Sequence, residues 1–134
     1  MLLIKTIVKE STIPGIGFGL FTDEDIPVNK VIWKFNPLID KVIDVKDVEN
    51  FEDVEKEYLR VYAYREGTKL ILCADNDRFI NHSIPLKNVD DLINPILCSI
   101  SVATRDIKKG EELFCDYSTF HDDYKDSNKL LNYK

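Results

Sequence analysis

Three short stretches carry the side chains with reactive or ligand-holding chemistry. Arg78-Phe79-Ile80-Asn81-His82-Ser83 holds one of only two histidines among 134 residues. Gly15, Gly17 and Gly19 alternate with apolar residues in GIGFGLF, and Tyr117 closes the run GEELFCDY. Ser83 beside His82 raises nucleophilic hydrolysis, but neighbouring side chains project apart, and a catalytic triad is an arrangement in space. The glycines permit a backbone to approach a ligand closely or to turn tightly. They are not a dinucleotide fingerprint, because the sixth-position glycine and the following helix are absent. Each stretch also has a plain structural reading. His82 can be a packed core residue with Asn81 closing a turn, the glycines a hairpin, and Tyr117 a packed ring whose hydroxyl reaches a partner. Cys73, Cys98 and Cys115 are odd in number and form no CxxC, and His82 and His121 lie far apart. They read as buried free thiols, with no metal site.

These residues need a scaffold, and the composition supplies one. Hydrophobic residues make up 44% of the chain and charged residues 31%, the balance of a folded domain that buries its own core. The net charge of −6 argues against a general nucleic-acid binder and for encounters with cationic protein partners. MLLIKTIVKE has lysines within a short apolar run, so it reads as a first strand and not as a signal peptide or membrane span. Free thiols imply a reducing intracellular setting, cytoplasmic or nuclear.

The pattern along the chain is mainly β. Strand-like runs cover residues 2–8, 30–35, 37–44, 68–74, 96–104 and 111–117, and residues 11–21 turn back into a strand. Between them Val48, Phe51, Val54, Tyr58 and Tyr62 recur at three- and four-residue steps, which predicts one amphipathic helix over about 46–63. An internal echo is also present. TDEDIPVNKVI (22–32) and ATRDIKKGEEL (103–113) share an Asp-Ile and then Asn29 or Gly110, residue types that tolerate positive φ. The echo predicts two similar hairpin corners.

Taken in order, GFGLF, RFINHS and RDIKKGEELFCDY resemble the SET-domain protein lysine methyltransferases over about residues 5–120. The resemblance implies a β-clip fold of short strands and small sheets. It implies one domain over 1–134, a core of about 5–120, a variable insert of about 44–66 bearing the helix, and a C-terminal lid of about 118–134. It also implies a pseudoknot-like threading that brings Asn81 beside Tyr117. By the same resemblance, Tyr117 is the catalytic tyrosine, and Gly17, Phe18, Gly19, Tyr58, Arg78, Phe79, Asn81 and His82 hold S-adenosylmethionine. Tyr62, Tyr64 and Cys115 are expected along the substrate channel.

The implied activity is methyl transfer to the ε-amine of a lysine in a basic protein tail, such as a histone or ribosomal protein, with S-adenosylhomocysteine as product. The amine must be neutral, and deprotonating it at pH 7 costs roughly 4.6 kcal/mol from a reference pKa of about 10.4. A dry aromatic channel lowers that cost by disfavouring the ammonium. Two departures from the family matter. Ile84 stands where many members have a cysteine, and the tail lacks the cysteine cluster of a zinc-bound lid. No metal is therefore expected, and Phe120 or Tyr124 is expected to close over the cofactor. Cys115 occupies a position often held by Phe or Tyr, which leaves the degree of methylation open. A homodimer is compatible with so small a domain, and the competing reading is a catalytically silent SET-like module that binds peptide or cofactor.

Overall fold

The computed structural model describes residues 1–92 and 99–121. In chain order the strands and helices are β1 (Thr6–Glu10), β2 (Phe18–Thr22), β3 (Val31–Lys34), β4 (Lys41–Asp44), α1 (Val45–Val48), α2 (Asp53–Tyr62), β5 (Ala63–Glu66), β6 (Lys69–Leu72), β7 (Asn81–His82), β8 (Val89–Leu92), β9 (Ile100–Ala103) and β10 (Phe114–Cys115). They form small sheets: an antiparallel β1–β2 ribbon, β3-β9-β8, β4-β6-β5, and a parallel pair, β7–β10. The mainly-β expectation holds. No helix among the described residues is long and apolar enough to cross a membrane.

The echo in the sequence is a physical pairing. Ile26 and Ile107 exchange backbone hydrogen bonds of 2.8 Å in both directions, and both side chains are buried in the core with Leu20, Ile32 and Leu113. The two aspartates of the shared Asp-Ile act across the pair. Asp106 accepts from the Val28 amide, and Asp25 accepts from the Lys109 amide, each at 2.9 Å. Asn29 has φ 67° and Gly110 has φ 91°. The turn chemistry read from the sequence is thus present at both corners, because each corner must reverse within two residues to dock on the other.

The parallel β7–β10 pair sets Asn81 against Phe114 and His82 against Cys115. The chain then loops back over β10. Ser83 N donates to Cys115 O and Asn88 N to Phe114 O, both at 3.1 Å. Buried Asn88 acts as a clamp, its Nδ2 donating to Glu112 O at 2.8 Å and its Oδ1 accepting from Phe114 N at 2.9 Å. The threading is as expected, but it sets Asn81 opposite Phe114, and the residues that meet Tyr117 are Ile80 and His82.

The insert departs from the expected single helix. Asp44 caps α1 by accepting from Lys46 N, and the chain turns through Asn50 and Phe51 before α2. Glu52 and Glu55 form a capping box, with Glu52 N donating to Glu55 Oε2 at 2.8 Å. The turn at Asn50–Phe51 and the Glu52 cap therefore split one apolar period into two helices. The buried face also differs: Val54 is 76% exposed, whereas Leu59 is 5% exposed and packs with Val48, Ala63 and Leu70. Ala63, the predicted helix end, instead opens β5, which a turn at Gly67 pairs with β6. Of the run 37–44, only Lys41–Asp44 is strand.

Candidate active site

Tyr117 stands at the start of a short 3-10 turn (Tyr117–Thr119) that Asp116 caps by accepting from Ser118 N at 3.0 Å. The Ser118 hydroxyl also donates to Asp116 at 2.7 Å, and these bonds hold the Asp116 carboxyl below its ordinary range. The Tyr117 hydroxyl donates to the Ile80 carbonyl at 2.5 Å. Its backbone amide donates to His82 Nδ1 at 3.1 Å. An Nδ1 that accepts leaves the ring proton on Nε2, so His82 is a positioning group for the tyrosine turn. Asp116 Oδ1 lies 3.8 Å from the same ring nitrogen.

A second set of contacts orders Asn81. Its Nδ2 donates to Phe18 O at 2.9 Å and to Glu112 Oε1 at 3.2 Å. Glu112, only 6% exposed, also accepts from Ser11 Oγ at 2.8 Å, from Thr12 N at 2.7 Å and from Thr12 Oγ1 at 2.5 Å. Burial pushes its carboxyl upward, but the Thr12, Ser11 and Asn81 donors outweigh burial and hold it low. A Cβ at Gly19 would lie 2.0 Å from Glu112 Oε1 and 3.2 Å from Asn81 Nδ2, so glycine is required there by the pair itself. The Phe18 ring is 61% exposed, and it is the Phe18 backbone carbonyl that meets Asn81. Gly17, with φ 98°, turns the chain into this approach.

The aromatic residues form two clusters. Tyr64 meets Phe120 edge-on at 5.2 Å between ring centroids, Phe120 meets Tyr117 at 5.7 Å, and Tyr117 lies 5.4 Å from His82. On the other side Tyr62 sits between Tyr58, at 4.9 Å, and Phe79, at 5.9 Å. The Arg78 guanidinium lies over both Tyr62 and Phe79, and donates to the Tyr58 hydroxyl at 3.2 Å. Between these walls lies a cavity of about 220 Å³ that Tyr62, Tyr64, Cys115, Tyr117 and Phe120 all line. Burial holds the Tyr64 phenol and the Cys73 and Cys115 thiols in their protonated forms.

Most predicted site residues therefore converge, though in two groups. Tyr62, Tyr64, Arg78, Cys115, Tyr117 and Phe120 line the cavity. Gly17, Phe18, Gly19 and Asn81 assemble around Glu112, and Tyr58 lies at the edge, 42% exposed. Phe120 is 9% exposed and packs in the core as a wall of the cavity. Tyr124 and Cys98 lie outside the described residues, as does the tail from 122 onward. Cys73 and Cys115 are the expected buried free thiols. Among the described residues no three His, Cys, Asp or Glu side chains are arranged to hold a metal ion.

The sequence reading missed Glu112, Ser11 and Thr12, and the Asn88 clamp. Glu112 is the second of two adjacent glutamates, and its charge looks as solvated as that of Glu111 until Ser11 and Thr12 are folded onto it. Asn88 sits in an irregular polar stretch with no period to mark it. Asp77 and Asp91, which also line the cavity, were likewise unmarked.

The SET domain family matches residues 17–118. No curated protein matches the chain. Among solved structures, Polycomb Repressive Complex 2 from Chaetomium thermophilum superposes with a TM-score of 0.70 at 22% identity, covering 93% of this chain and 17% of that one. Another crystal structure of the same complex gives 0.64 at 26% identity, covering 85% of this chain and 15% of that one. A Plasmodium falciparum protein carrying a provisional histone methyltransferase name gives 0.61 at 21% identity, covering 87% and 95% of the two chains. The chain thus spans about a sixth of the Polycomb subunit it matches. With the glycine, Asn-His-Ser and Asp-Tyr elements threaded together as described, the chain belongs to the SET-domain family.

Proposed function

We propose that this chain is a S-adenosylmethionine-dependent protein-lysine N-methyltransferase acting on a lysine within a basic protein segment, such as a histone tail or a ribosomal protein. The observation that carries the reading is the Tyr117 hydroxyl, fixed on the Ile80 carbonyl in the wall of an aromatic cavity. A solved relative with 22% identity is bound to S-adenosylmethionine, which supports the same cofactor here. The residues present fit such a group. Arg78 offers a buried Nε donor that has no partner among the described residues, suited to an anionic portion of a ligand. Phe18 presents an exposed ring beside the Asn81–Glu112 contact, suited to a flat apolar portion.

When bound, the cofactor supplies an electrophilic methyl group on a sulfonium. The protein's part is to hold the acceptor amine neutral, dry and in line, and positioning dominates such a displacement. The aromatic wall removes water from the amine and disfavours its charged form. Tyr117, locked through both its hydroxyl and its amide, orients the acceptor nitrogen. Asn81 and His82 fix β7, which directly follows Ile80 and its carbonyl, so their effect on the reaction passes through geometry.

The test is transfer of labelled methyl groups to lysine-rich proteins, with Tyr117→Phe as comparison. The expected result is label on lysine with the wild type, a loss of about 100-fold or more in turnover with Tyr117→Phe, and cofactor affinity within a few-fold. Cofactor binding without transfer to any lysine acceptor would assign the chain as a silent binding module. Unchanged turnover in Tyr117→Phe would remove the role given to that tyrosine.

A further inference from the structure

Four buried side-chain polar atoms lack a hydrogen-bond partner among the described residues: Trp33 Nε1, Asp77 Oδ1, Arg78 Nε and Asp91 Oδ2. All four residues line the one cavity next to Tyr117. Unpartnered buried polar atoms are rare, so four around one space call for an occupant that bonds to them. Two of the four are carboxylate oxygens. The other oxygens of these carboxylates are engaged, Asp77 Oδ2 with the Cys73 thiol at 3.6 Å and Asp91 Oδ1 with the Ser101 hydroxyl. The Cys115 thiol also reaches the Asp91 carboxylate, so Asp77 Oδ1 and Asp91 Oδ2 are the carboxylate oxygens without an N–H or O–H donor among the described residues.

The occupant is defined by the walls. Tyr62, Tyr64, Tyr117 and Phe120 present aromatic surface, whose ring faces attract an organic cation. A metal ion is disfavoured, since no three metal-binding side chains among the described residues converge. Of the two arginines that also line the space, Arg60 is engaged on Glu57 at 2.5 and 2.8 Å, whereas Arg78 donates to the Tyr58 hydroxyl through one terminal nitrogen and keeps its Nε open. The two unpartnered carboxylate oxygens, set among aromatic rings, suit an ammonium on an alkyl chain, and the Trp33 and Arg78 N–H groups are left for a separate acceptor.

We propose that Asp77 and Asp91 form a two-carboxylate cradle that binds the ε-ammonium of the acceptor lysine beside Tyr117 and takes the proton it must lose. This rests on the methyltransferase reading and adds to it a recognition element and a proton acceptor. In the step itself one N–H bond of the ammonium breaks and its electron pair stays on nitrogen. The proton forms an O–H bond with an aspartate oxygen, so ammonium plus carboxylate become neutral amine plus carboxylic acid. The amine then has the lone pair that a displacement needs. Burial, and for Asp77 also the charge of Asp91, pushes both carboxyl groups above the ordinary aspartate range. In its ionised form a carboxylate raised in this way is the stronger base.

The experiment uses the full chain and two small probes, n-butylammonium and n-butanol, followed by NMR shifts at the cavity tyrosines and by calorimetry. Butylammonium is expected to bind the wild type in the millimolar range at least tenfold more tightly than butanol. Asp77→Asn, Asp91→Asn and the double variant are expected to lose that preference. With a lysine peptide as acceptor, KM should rise tenfold or more in the double variant, with the cofactor Kd within twofold. The asparagine variants should unfold at the same or a higher temperature, because they remove unpaired buried carboxylates.

Equal binding of the two probes by the wild type would overturn the cradle, and that measurement needs no variant to fold. Unchanged peptide KM and unchanged amine preference in the double variant would overturn it while leaving the methyltransferase intact. Amine binding that depends on the aspartates, without methyl transfer to any lysine, would keep the cradle and remove the proposed activity.

Discussion

A methyl group added at Gly19 would sit 2.0 Å from Glu112 Oε1 and 2.8 Å from its carboxyl carbon. Neither can move freely, because Ser11, Thr12 and Asn81 all donate to that carboxylate. Gly19→Ala is therefore expected to lower stability by about 1–3 kcal/mol through overpacking, read as a drop in the urea midpoint. A midpoint equal to wild type would show that the Glu112 contacts are soft. The residue types alone left Gly19 as a site of ligand approach, since spacing cannot reveal that the vacant Cβ position is taken by a glutamate 93 residues away. His82 shows the same limit from the other side. By residue type it reads as a packed core histidine and only the family resemblance makes it a cofactor holder; the fold gives it the Tyr117 amide as a hydrogen-bond donor.

Among the elements, Glu112 is the link between the β1–β2 ribbon, β7 and the segment entering β10. Its carboxyl is held below the ordinary value of 4.5 by the donors from Thr12, Ser11 and Asn81, against the opposing effect of burial. The sign follows: a group with a lowered folded pKa contributes stability above its unfolded value and loses it as pH falls through the folded value. The urea midpoint of the wild type should therefore fall as pH drops below about 4.5, and Glu112→Gln should flatten that part of the curve while starting lower at pH 7. Asp77 and Asp91 act with the opposite sign at higher pH, since burial raises them, so the difference between wild type and Glu112→Gln is the quantity to read. An identical acid limb in both proteins would show that Glu112 is not the titrating link. At this scale the paired corners were legible, because Asp-Ile and a positive-φ residue recur in both. The helix break at Glu49–Glu52 was not, because the apolar period continues through it while the Asn50–Phe51 turn and the Glu52 cap interrupt it.

The molecule as a whole carries a net charge of −6. An acidic surface raises encounter rates with cationic acceptors by long-range attraction, which salt screens over a Debye length of about 10 Å at 0.1 M and about 3 Å at 1 M. For the proposed lysine-rich substrates, kcat/KM is expected to fall about tenfold between 0.05 and 0.5 M salt, with cofactor affinity nearly constant. Equal salt sensitivity for an acidic lysine peptide would show that charge steering plays no part. By itself the sequence determined the mainly-β class, the two matching corners and the order of the glycine, Asn-His-Ser and Asp-Tyr elements. These are local: they depend on period, turn chemistry and linear order. Only the tertiary structure decided which polar groups are paired. It placed Glu112 on Ser11, Thr12 and Asn81, put Asn88 between Glu112 and Phe114, and left Asp77 and Asp91 each with one carboxylate oxygen without an N–H or O–H donor among the described residues. A charge in the sequence is solvated by default, and burial or pairing is settled when distant segments meet and exclude water.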